Sequence, residues 1–365
     1  MSGGLHVRGR PALILYVYSG KARPGGIGLD FVVRQQLTAL TDAGCKVIFV
    51  ARGSFKHPNV KNISFPLTPA HLLSWLSSKY YYTAQHRFFS EAGAWIARFG
   101  KVDLAISWTR QSRNLFRVCS ARNIPAVLNC PGWHYNYPLG NDAWTTRPWP
   151  AIKKADLDEE YSRATMLLTA SEFARKTFLA NQFAEARVVN IGRGADSARF
   201  TNPERPFSPF RLAFFAQVSE RKGIFEAIAA WKQAAIPGGE FWVIGAVPKE
   251  LDEALKNTGA PGIRFFGFRS DPEILLQQCH VQILPSRQEG MAKSLVEGAA
   301  CGLVTLATEQ SGFPLVEGET GYYIERENTA QVAQYLRALA ADAQAWQAMS
   351  HKSSAYVKQN LTWPK

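Results

Sequence analysis

The sequence predicts an α/β protein made of two Rossmann-like domains, each built on a parallel sheet. At 365 residues the chain is longer than one hydrophobic core usually supports, so two domains are expected. Short apolar runs alternate with longer stretches of helical periodicity, which is typical of βαβ units. A Gly- and Pro-rich stretch at 192–209 interrupts the alternation and predicts a linker. We therefore expect domains over 1–195 and 205–345, followed by a terminal segment over 346–365.

The individual elements follow from apolar runs and from the helical spacing of apolar residues. In the first half, strands are expected at 12–18, 46–51, 104–107, 126–129, 166–169 and 187–191, and helices at 28–43, 85–99, 112–122, 152–163 and 171–181. Ser171 is the predicted N-cap of the last of these helices. The second half predicts strands at 210–216, 240–244, 263–266, 281–284, 304–307 and 321–324, and a closing helix at 344–360. Ligands bind at the carboxyl ends of such strands, so a ligand-binding cleft between the two domains is expected.

The composition limits where the protein can act. No apolar run reaches the roughly 18–20 residues that a membrane span needs. The short apolar run near the start continues into a strand and a Gly-rich turn, so a signal peptide is not expected. The five cysteines are odd in number and form no CxxC pair, which favours a reduced, cytoplasmic setting without structural zinc.

The net charge of +13 is concentrated in the first half of the sequence. Residues 1–165 carry 21 Lys and Arg against 9 Asp and Glu, whereas the remainder carries 21 against 20. A basic domain attracts an anionic acceptor, the anionic face of a membrane or a nucleic acid, or it merely keeps the protein soluble. The sequence contains no zinc-finger spacing, RNP-like string or basic–aromatic repeat, so nucleic acid is not an expected partner.

The most informative motif is PSRQEGMAKSLVEGAACG at 285–302. It places Glu289 and Glu297 around a predicted helix start, with Gly290 and Ala292 leaving the backbone open to a ligand. The N–H groups and the dipole of a helix start suit a phosphate. With Glu289 just before the helix and Glu297 about two turns inside it, a rise of roughly 1.5 Å per residue separates them by about 12 Å. This spacing predicts contacts with two ends of one elongated ligand, whereas glycosidase carboxylates lie about 5–10 Å apart.

This motif resembles the donor-binding signature of the retaining GT-B-fold glycosyltransferases of family 4, the glycosyl transferases group 1. The shared pattern is Glu-Gly, a few small or apolar residues, a second Glu, and a small-residue run ending in Cys-Gly. The resemblance implies that Glu289 contacts the transferred sugar and that Glu297 binds the ribose diol, since a carboxylate accepts both hydroxyls of a cis-diol. The residues after Glu289 are expected to lie against the donor: Gly290, Met291 and Ala292. It also implies two domains that face an interdomain cleft, with 346–365 packing back toward the N-terminal domain.

A second segment, FFAQVSERKG, matches the family where the donor diphosphate is bound. Lys222 occupies the position of the family lysine that contacts the diphosphate. The family usually has an arginine five positions earlier, but Gln217 stands there in this chain. Arg221, next to Lys222, is the candidate that supplies the missing charge.

The first domain contributes two further resemblances. The turn ARPGGIG matches the family's glycine-rich turn, where Gly25, Gly26 and Gly28 let backbone amides approach a diphosphate or a sugar. The family also has a histidine near the sugar, but the aligned position here is Pro131, with His134 three residues later. His134 is the candidate replacement, because an imidazole can hydrogen-bond a sugar hydroxyl or the acceptor; a structural or surface role is the alternative. The expected catalytic set is Glu289, Lys222 and His134.

These resemblances imply a retaining glycosyltransferase that moves a sugar from a UDP- or GDP-linked donor to a saccharide or lipid-linked acceptor. The role would lie in cell-surface polysaccharide or glycolipid synthesis, in the cytoplasm or peripherally at the inner face of the membrane. No metal or other cofactor is expected: Asp156-Leu157-Asp158 has the letters of a metal-binding DxD, but it falls in a predicted helix. The alternatives are a catalytically silent GT-B-fold protein that binds a polyanion and a GT-B-fold nucleotide-sugar epimerase. A dinucleotide-dependent enzyme is disfavoured because GxGxxG is absent.

Overall fold

A computed structural model of the chain describes residues 6–7, 9–24, 28–73, 78–137 and 154–363. The predicted α/β class with parallel sheets is confirmed. The chain forms two compact units. The N-terminal unit contains residues 1–169 and 177–190, and the C-terminal unit contains residues 170–176 and 191–365.

The N-terminal unit is built on a sheet of seven parallel strands in the order β5-β4-β3-β6-β7-β8-β9. A short antiparallel pair, β1 (His6–Val7) and β2 (Arg10–Pro11), precedes this sheet. The seven strands are β3 (Leu13–Val17), β4 (Lys46–Ala51), β5 (Val60–Ser64), β6 (Leu104–Trp108), β7 (Ala126–Cys130), β8 (Met166–Thr169) and β9 (Val188–Asn190). The six predicted strands of this half are all present.

The strand β5 is absent from the sequence-based prediction, and the reason lies in its position. It pairs only with β4 and forms the edge of the sheet. Of its five residues only Val60 is buried, and three of the five residues of VKNIS are polar. An edge strand that buries so little needs no continuous apolar run, which is the signal that identifies the other strands.

Four helices belong wholly to the N-terminal unit and enclose its core: α1 (Leu29–Asp42), α2 (Ser78–Phe99), α3 (Arg113–Ala121) and α4 (Lys154–Arg163). A fifth helix, α5 (Glu172–Leu179), begins in residues of the C-terminal unit and ends in the N-terminal unit, and 3-10 turns lie at Pro69–Leu73 and Glu185–Arg187. Phe89 of α2 and Phe116 of α3 are fully buried against strand residues such as Leu128. The predicted N-cap is confirmed, because the Oγ of Ser171 accepts a hydrogen bond from the Ala174 N–H at 3.0 Å.

The C-terminal unit repeats the architecture with six parallel strands in the order β12-β11-β10-β13-β14-β15. These strands are β10 (Arg211–Phe215), β11 (Glu240–Ile244), β12 (Ile263–Gly267), β13 (Val281–Leu284), β14 (Val304–Ala307) and β15 (Gly321–Tyr323). All six lie within about one residue of their predicted bounds. Most residues of β10, β11, β13 and β14 are buried, whereas β12, at one edge of the sheet, has no buried residue and was identified by its apolar residues Ile263, Phe265 and Phe266.

The helices of the C-terminal unit follow the strands in the βαβ manner. They are α6 (Ile224–Ala234), α7 (Lys249–Lys256), α8 (Pro272–Leu276), α9 (Lys293–Ala300), α10 (Thr329–Ala341) and α11 (Ala343–Asn360), with 3-10 turns at Glu220–Lys222 and Glu309–Ser311. The closing helix α11 packs against α9, α10 and β14 of its own unit. Asp342 caps it by accepting the N–H groups of Gln344 and Ala345.

Candidate functional site

The candidate site lies where the strand order of the C-terminal sheet reverses. β10 pairs with β13, while β11 and β12 extend to one side and β14 and β15 to the other. The loops that leave the carboxyl ends of β10 and β13 are therefore adjacent. Such a reversal point is where open α/β sheets bind ligands. The segment with Arg221 and Lys222 and the segment with Glu289 are brought together here, although they are far apart in sequence.

Local backbone geometry holds these two loops together. Gly223 has φ 78° and ψ 35° and joins the 3-10 turn Glu220–Lys222 to α6. A Cβ atom at this position would lie 2.3 Å from the carbonyl oxygen of Pro285, so only glycine permits the approach. The N–H of Arg287 donates to the carbonyl of Arg221 at 2.9 Å. The position of Lys222 relative to Glu289 is thus set by main-chain contacts.

Glu289 is the centre of a buried ion cluster. Its Oε1 lies 2.6 Å from Lys222 Nζ and 2.6 Å from an Nη1 of Arg221, and it accepts a hydrogen bond from Ser286 Oγ at 3.0 Å. The side chains of Glu289 and Lys222 are each 13% exposed, whereas that of Arg221 is 41% exposed. Burial by itself raises the pKa of the Glu289 carboxyl, but the charges of Lys222 and Arg221 outweigh it and hold the pKa below its ordinary value. The carboxylate is therefore ionised and acts only as an acceptor.

Glu297 occupies a separate environment on α9. It is 8% exposed, and its carboxylate pairs with Lys293 one helical turn earlier. Burial raises the pKa of the Glu297 carboxyl, with the charge of Lys293 opposing the rise. The predicted placement of the helix is wrong: α9 begins at Lys293, so Glu289 lies four residues before it and Glu297 one turn inside it. The estimate of about 12 Å, which assumed helical rise over all eight residues, no longer applies.

The residues between the two carboxylates are held by the loop that follows β14. The N–H of Glu289 donates to Gln310 O at 3.0 Å and the N–H of Ala292 donates to Ser311 O at 2.9 Å. The side chains of Met291 and Ala292 belong to the hydrophobic core of the unit. The carbonyl of Gly290 accepts a hydrogen bond from Ser171. Helix α9 follows with no side-chain cap on its N-terminus, the arrangement that suits an anion.

Two partners of the candidate carboxylates were not expected from the sequence, although both leave a signal there. Ser286, three positions before Glu289, donates to the same carboxylate oxygen as Lys222 and Arg221. Lys293 precedes Glu297 by four positions, which is the spacing of neighbours on one helix face. Gln217, at the position of the family arginine, is exposed.

The N-terminal unit contains the predicted glycine-rich turn and the candidate His134. Gly25 and Gly26 lie outside the described residues, and Gly28 precedes α1 with φ 60°, a conformation that favours glycine. His134 is 6% exposed and lies among aromatic rings, with ring-centroid distances of 4.7 Å to Tyr135 and 5.2 Å to Phe178. Burial lowers the pKa of His134 to about 4, so the imidazole is neutral at physiological pH. The catalytic assignment of His134 stays a prediction.

The described residues were also searched for metal-binding groups and for helices that could span a membrane. Asp156 and Asp158 lie in α4 as predicted, where Asp156 pairs with Arg113 at 2.7 Å and Asp158 accepts a hydrogen bond from Tyr135. In the described part of the chain, no group of three or more His, Cys, Asp or Glu is arranged to hold a metal ion. No helix within the described ranges is both long and apolar enough to cross a membrane. All five cysteines are buried free thiols.

The whole fold is similar to that of solved GT-B glycosyltransferases. Sucrose-phosphate synthase from Thermosynechococcus elongatus has a TM-score of 0.72, with 17% sequence identity, over 97% of this chain and 96% of that one. The Anabaena protein HepE in complex with UDP and glucose has a TM-score of 0.67, with 16% identity, over 96% of both chains. At these identities the likeness establishes the fold alone. The protein thus has the GT-B fold, with two Rossmann-like α/β domains.

The match to a family model lies in the C-terminal unit. Residues 209–342 match the family described as "Glycosyl transferases group 1". The amylovoran biosynthesis glycosyltransferase AmsK of Erwinia amylovora is 28% identical over 197 residues, 49% of this chain and 48% of that protein. The putative colanic acid biosynthesis glycosyltransferase WcaL of Salmonella typhimurium is 30% identical over 154 residues, 38% of each. The match to these curated relatives spans less than half of their length, and the family segment contains Lys222, Glu289 and Glu297.

Proposed function

We propose that this protein is a retaining glycosyltransferase that uses a UDP- or GDP-linked sugar as donor. The observation that carries the proposal is the buried cluster of Lys222, Arg221 and Glu289 at the strand-order reversal of the C-terminal sheet. Two cations and an uncapped helix start suit a diphosphate, and a second carboxylate, Glu297, suits a ribose diol. The match of residues 209–342 to glycosyl transferases group 1 covers this cluster.

In this proposal the ion cluster is the form of the site without donor. Lys222 and Arg221 neutralise Glu289, which keeps three buried or half-buried charges compensated. A donor diphosphate offers the two cations stronger oxyanion partners, and it thereby releases the Glu289 carboxylate to accept hydrogen bonds from sugar hydroxyls. Arg221 thus takes the place of the arginine replaced by Gln217, because it already reaches the same carboxylate as Lys222.

The chemical step then depends on stabilising the charge of the leaving diphosphate. In this scheme Lys222 and the positive end of α9 face the leaving diphosphate and stabilise the negative charge of the transition state electrostatically. The acceptor hydroxyl attacks from the same face, and a phosphate oxygen of the donor takes its proton. No metal or other cofactor is required in this scheme, and nucleic acid is not a partner.

The acceptor is a saccharide or a lipid-linked saccharide of cell-surface polysaccharide or glycolipid synthesis. The charge of the sequence supports contact with an anionic membrane through the N-terminal unit, at the inner face of the cytoplasmic membrane. On α2, Trp95 and Phe99 are 67% and 69% exposed and their rings lie 5.5 Å apart, a pair suited to the membrane interface. Cosedimentation with anionic and with neutral vesicles tests this contact, and Trp95→Ala together with Phe99→Ala should weaken it.

The proposed reaction is tested by incubating the protein with UDP- and GDP-sugars and measuring nucleotide release and product anomers. Glu289→Gln and Lys222→Ala should each lower turnover by about 100-fold or more, as loss of a charge-stabilising group typically does. Lys352→Ala is the matched control, since Lys352 forms an exposed ion pair with Glu319 in the same unit.

The outcomes separate the alternatives. Nucleotide binding without hydrolysis or transfer of any donor would favour a silent polyanion-binding protein. Interconversion of the sugar while it remains on the nucleotide would favour an epimerase. Full activity of both Glu289→Gln and Lys222→Ala would refute the site.

A further inference from the structure

A cavity of about 270 Å³ lies in the N-terminal unit, among α2, α4 and the turn from β6 into α3. On α2 its lining positions are 83, 86, 87 and 90, and around the start of α3 they are 110, 113, 114 and 117. Both sets have the spacing of one helix face. These positions carry four arginines and a histidine, and Arg87 and Arg117 are exposed, so the cavity opens to solvent and presents positive charge to an entering ligand. Two carboxylates of α4, those of Asp156 and Glu160, also line the cavity.

The cavity adjoins the strand-order reversal of the N-terminal sheet. β3 pairs with β6, while β4 and β5 extend to one side and β7, β8 and β9 to the other. The turn with Arg110 follows β6 directly, and it contacts the segment after β3 through the hydrogen bond from the Ser19 N–H to Gln111 Oε1 at 2.6 Å. This is the same kind of location as the proposed donor site of the C-terminal sheet, and it is the position where ligands bind in such sheets.

The arginines of the cavity differ in how far their charge is neutralised. Arg113 pairs with Asp156 at 2.7 Å and with Glu159 at 2.6 Å, and Arg117 pairs with Glu159 at 2.6 Å. Both are therefore compensated by carboxylates of α4. Arg87 has no hydrogen bond or ion pair with any residue that the structure describes. Its charge remains available to a ligand.

Arg110 is held at the cavity by an unusual backbone conformation. Its φ is 77°, in the left-handed region that a long side chain rarely occupies. The carboxylate of Glu160, which is 2% exposed, accepts the N–H groups of Arg110 at 2.6 Å, Ser112 at 2.8 Å and Arg113 at 3.1 Å. Three hydrogen bonds to this one buried carboxylate maintain the turn against its strain, and Arg110 lines the cavity. Strain that is maintained in this way is typical of binding sites.

The neighbouring histidine is consistent with a positive site. Burial, and secondly the charge of Arg110, lowers the pKa of His86 to about 4. The neutral imidazole adds a hydrogen-bonding group to the cavity without further positive charge. An oxyanion would therefore meet the guanidinium groups of Arg87 and Arg110 beside an uncharged ring. Of the two carboxylates on the lining, Asp156 is paired with Arg113 and Glu160 accepts the N–H groups of the turn.

We propose that this cavity is an oxyanion-binding subsite, in which Arg87 and Arg110 hold a carboxylate or phosphate group of the sugar acceptor. The assignment of this ligand to an acceptor rests on the proposed glycosyltransferase function. Guanidinium groups bind planar or tetrahedral oxyanions through paired hydrogen bonds. The volume exceeds the roughly 30 Å³ of a single water several-fold, so it accommodates the anion and part of a sugar ring. Two sources supply such a group: a uronic acid of a saccharide acceptor, or the phosphate of a lipid-linked one.

The subsite is tested by calorimetric titration of the whole protein with its donor site saturated by the nucleotide diphosphate. The probes are methyl glucuronide, its neutral counterpart methyl glucoside, and inorganic pyrophosphate. We expect an anionic probe to bind and the neutral sugar not to bind. Arg87→Gln and Arg110→Gln should each weaken that binding by about tenfold or more, as loss of a charge-assisted contact does. Arg98→Gln is the matched control, because Arg98 is an exposed arginine of the same helix that does not line the cavity.

The two anionic probes distinguish the sources, since preference for the glucuronide indicates a uronic acid and preference for pyrophosphate indicates a lipid-linked phosphate. Equal binding of the glucuronide and the glucoside together with no binding of pyrophosphate would overturn the subsite, as would anion binding that neither Arg87→Gln nor Arg110→Gln weakens. Arg87 is exposed, so its variant should fold even if Arg110→Gln does not. Hydrolysis of the nucleotide-sugar without acceptor is measured in parallel. If the unmodified protein binds the anion but does not hydrolyse any nucleotide-sugar, the result would contradict the proposed function and leave the anion subsite standing.

Discussion

The ion pair between Lys222 and Glu289 should have a larger coupling free energy than an exposed pair in the same unit. The two side chains are each 13% exposed and their charged atoms are 2.6 Å apart. The pair Lys352–Glu319 has a separation of 3.2 Å, and its side chains are 55% and 56% exposed. Solvent screening differs strongly between the two environments, so the interaction energies should differ as well.

The expected loss of stability in Lys222→Met depends on the partners that Glu289 keeps. Breaking a fully buried pair usually costs about 3–5 kcal/mol, because an unpaired charge stays behind. In Lys222→Met the Glu289 carboxylate keeps Arg221 at 2.6 Å and Ser286 at 3.0 Å, so the cost should fall to about 1–3 kcal/mol. Methionine nearly preserves the volume of the side chain, which limits any packing contribution.

The measurement is a double-mutant cycle with Lys222→Met and Glu289→Gln, compared with Lys352→Met and Glu319→Gln. Urea unfolding is suitable because urea carries no charge and does not screen ion pairs. Both pairs lie in the C-terminal unit, so both are measured on the same transition. We expect a coupling free energy of about 1–3 kcal/mol for the first pair and below about 1 kcal/mol for the second. Equal coupling energies would refute the conclusion that the Glu289 cluster is screened from solvent.

Three further outcomes are expected. Glu297→Gln should weaken binding of a nucleoside diphosphate by about tenfold, measured by calorimetry, because a neutral amide accepts diol hydrogen bonds less strongly; unchanged affinity would exclude the ribose contact. His134 has a folded pKa of about 4 against about 6.5 in the unfolded chain, so the unfolded state takes up the proton first and stability falls as the pH drops from about 6.5 to 4. In urea unfolding at several pH values, the free energy of unfolding of His134→Phe should fall by up to about 3 kcal/mol less over this pH range than that of the unmodified protein. The substitution should lower turnover only if His134 is catalytic. Removal of divalent cations with EDTA should leave sugar transfer unchanged; a loss restored by added Mg²⁺ would contradict the metal-free scheme.

The strands and the separate motifs were accessible from the sequence because their signals are local. Strands such as β13 and β14 are buried along their whole length and consist mainly of apolar residues, so their bounds were predicted within about one residue. The same reasoning failed for β5, whose polar residues reflect its place at the sheet edge. It also misplaced the start of α9, because the residues before Lys293 are held by hydrogen bonds to Gln310 and Ser311, which no local pattern encodes.

The assembly of the site depended on contacts between distant segments. The sequence identifies Glu289, Glu297 and Lys222 as a set only through resemblance to a family, and nothing in their spacing shows which cation pairs with which carboxylate. The structure pairs Glu289 with Lys222 and Arg221, and Glu297 with Lys293. Strand order is responsible, since placing β10 next to β13 makes two distant loops neighbours.

In the N-terminal unit, too, the sequence shows the residue types, while the tertiary structure decides their partners. The sequence alone supplies the excess of basic residues and the helical spacing of the positions that line the cavity. It does not show that Glu160 accepts three N–H groups from a turn about 50 positions earlier, or that this holds Arg110 in a left-handed conformation. Residue type and periodicity are properties of short segments, so they can be read along the chain. Which charges are neutralised and which remain available depends on distances across the fold, and only the packing of α2, α3 and α4 sets those distances.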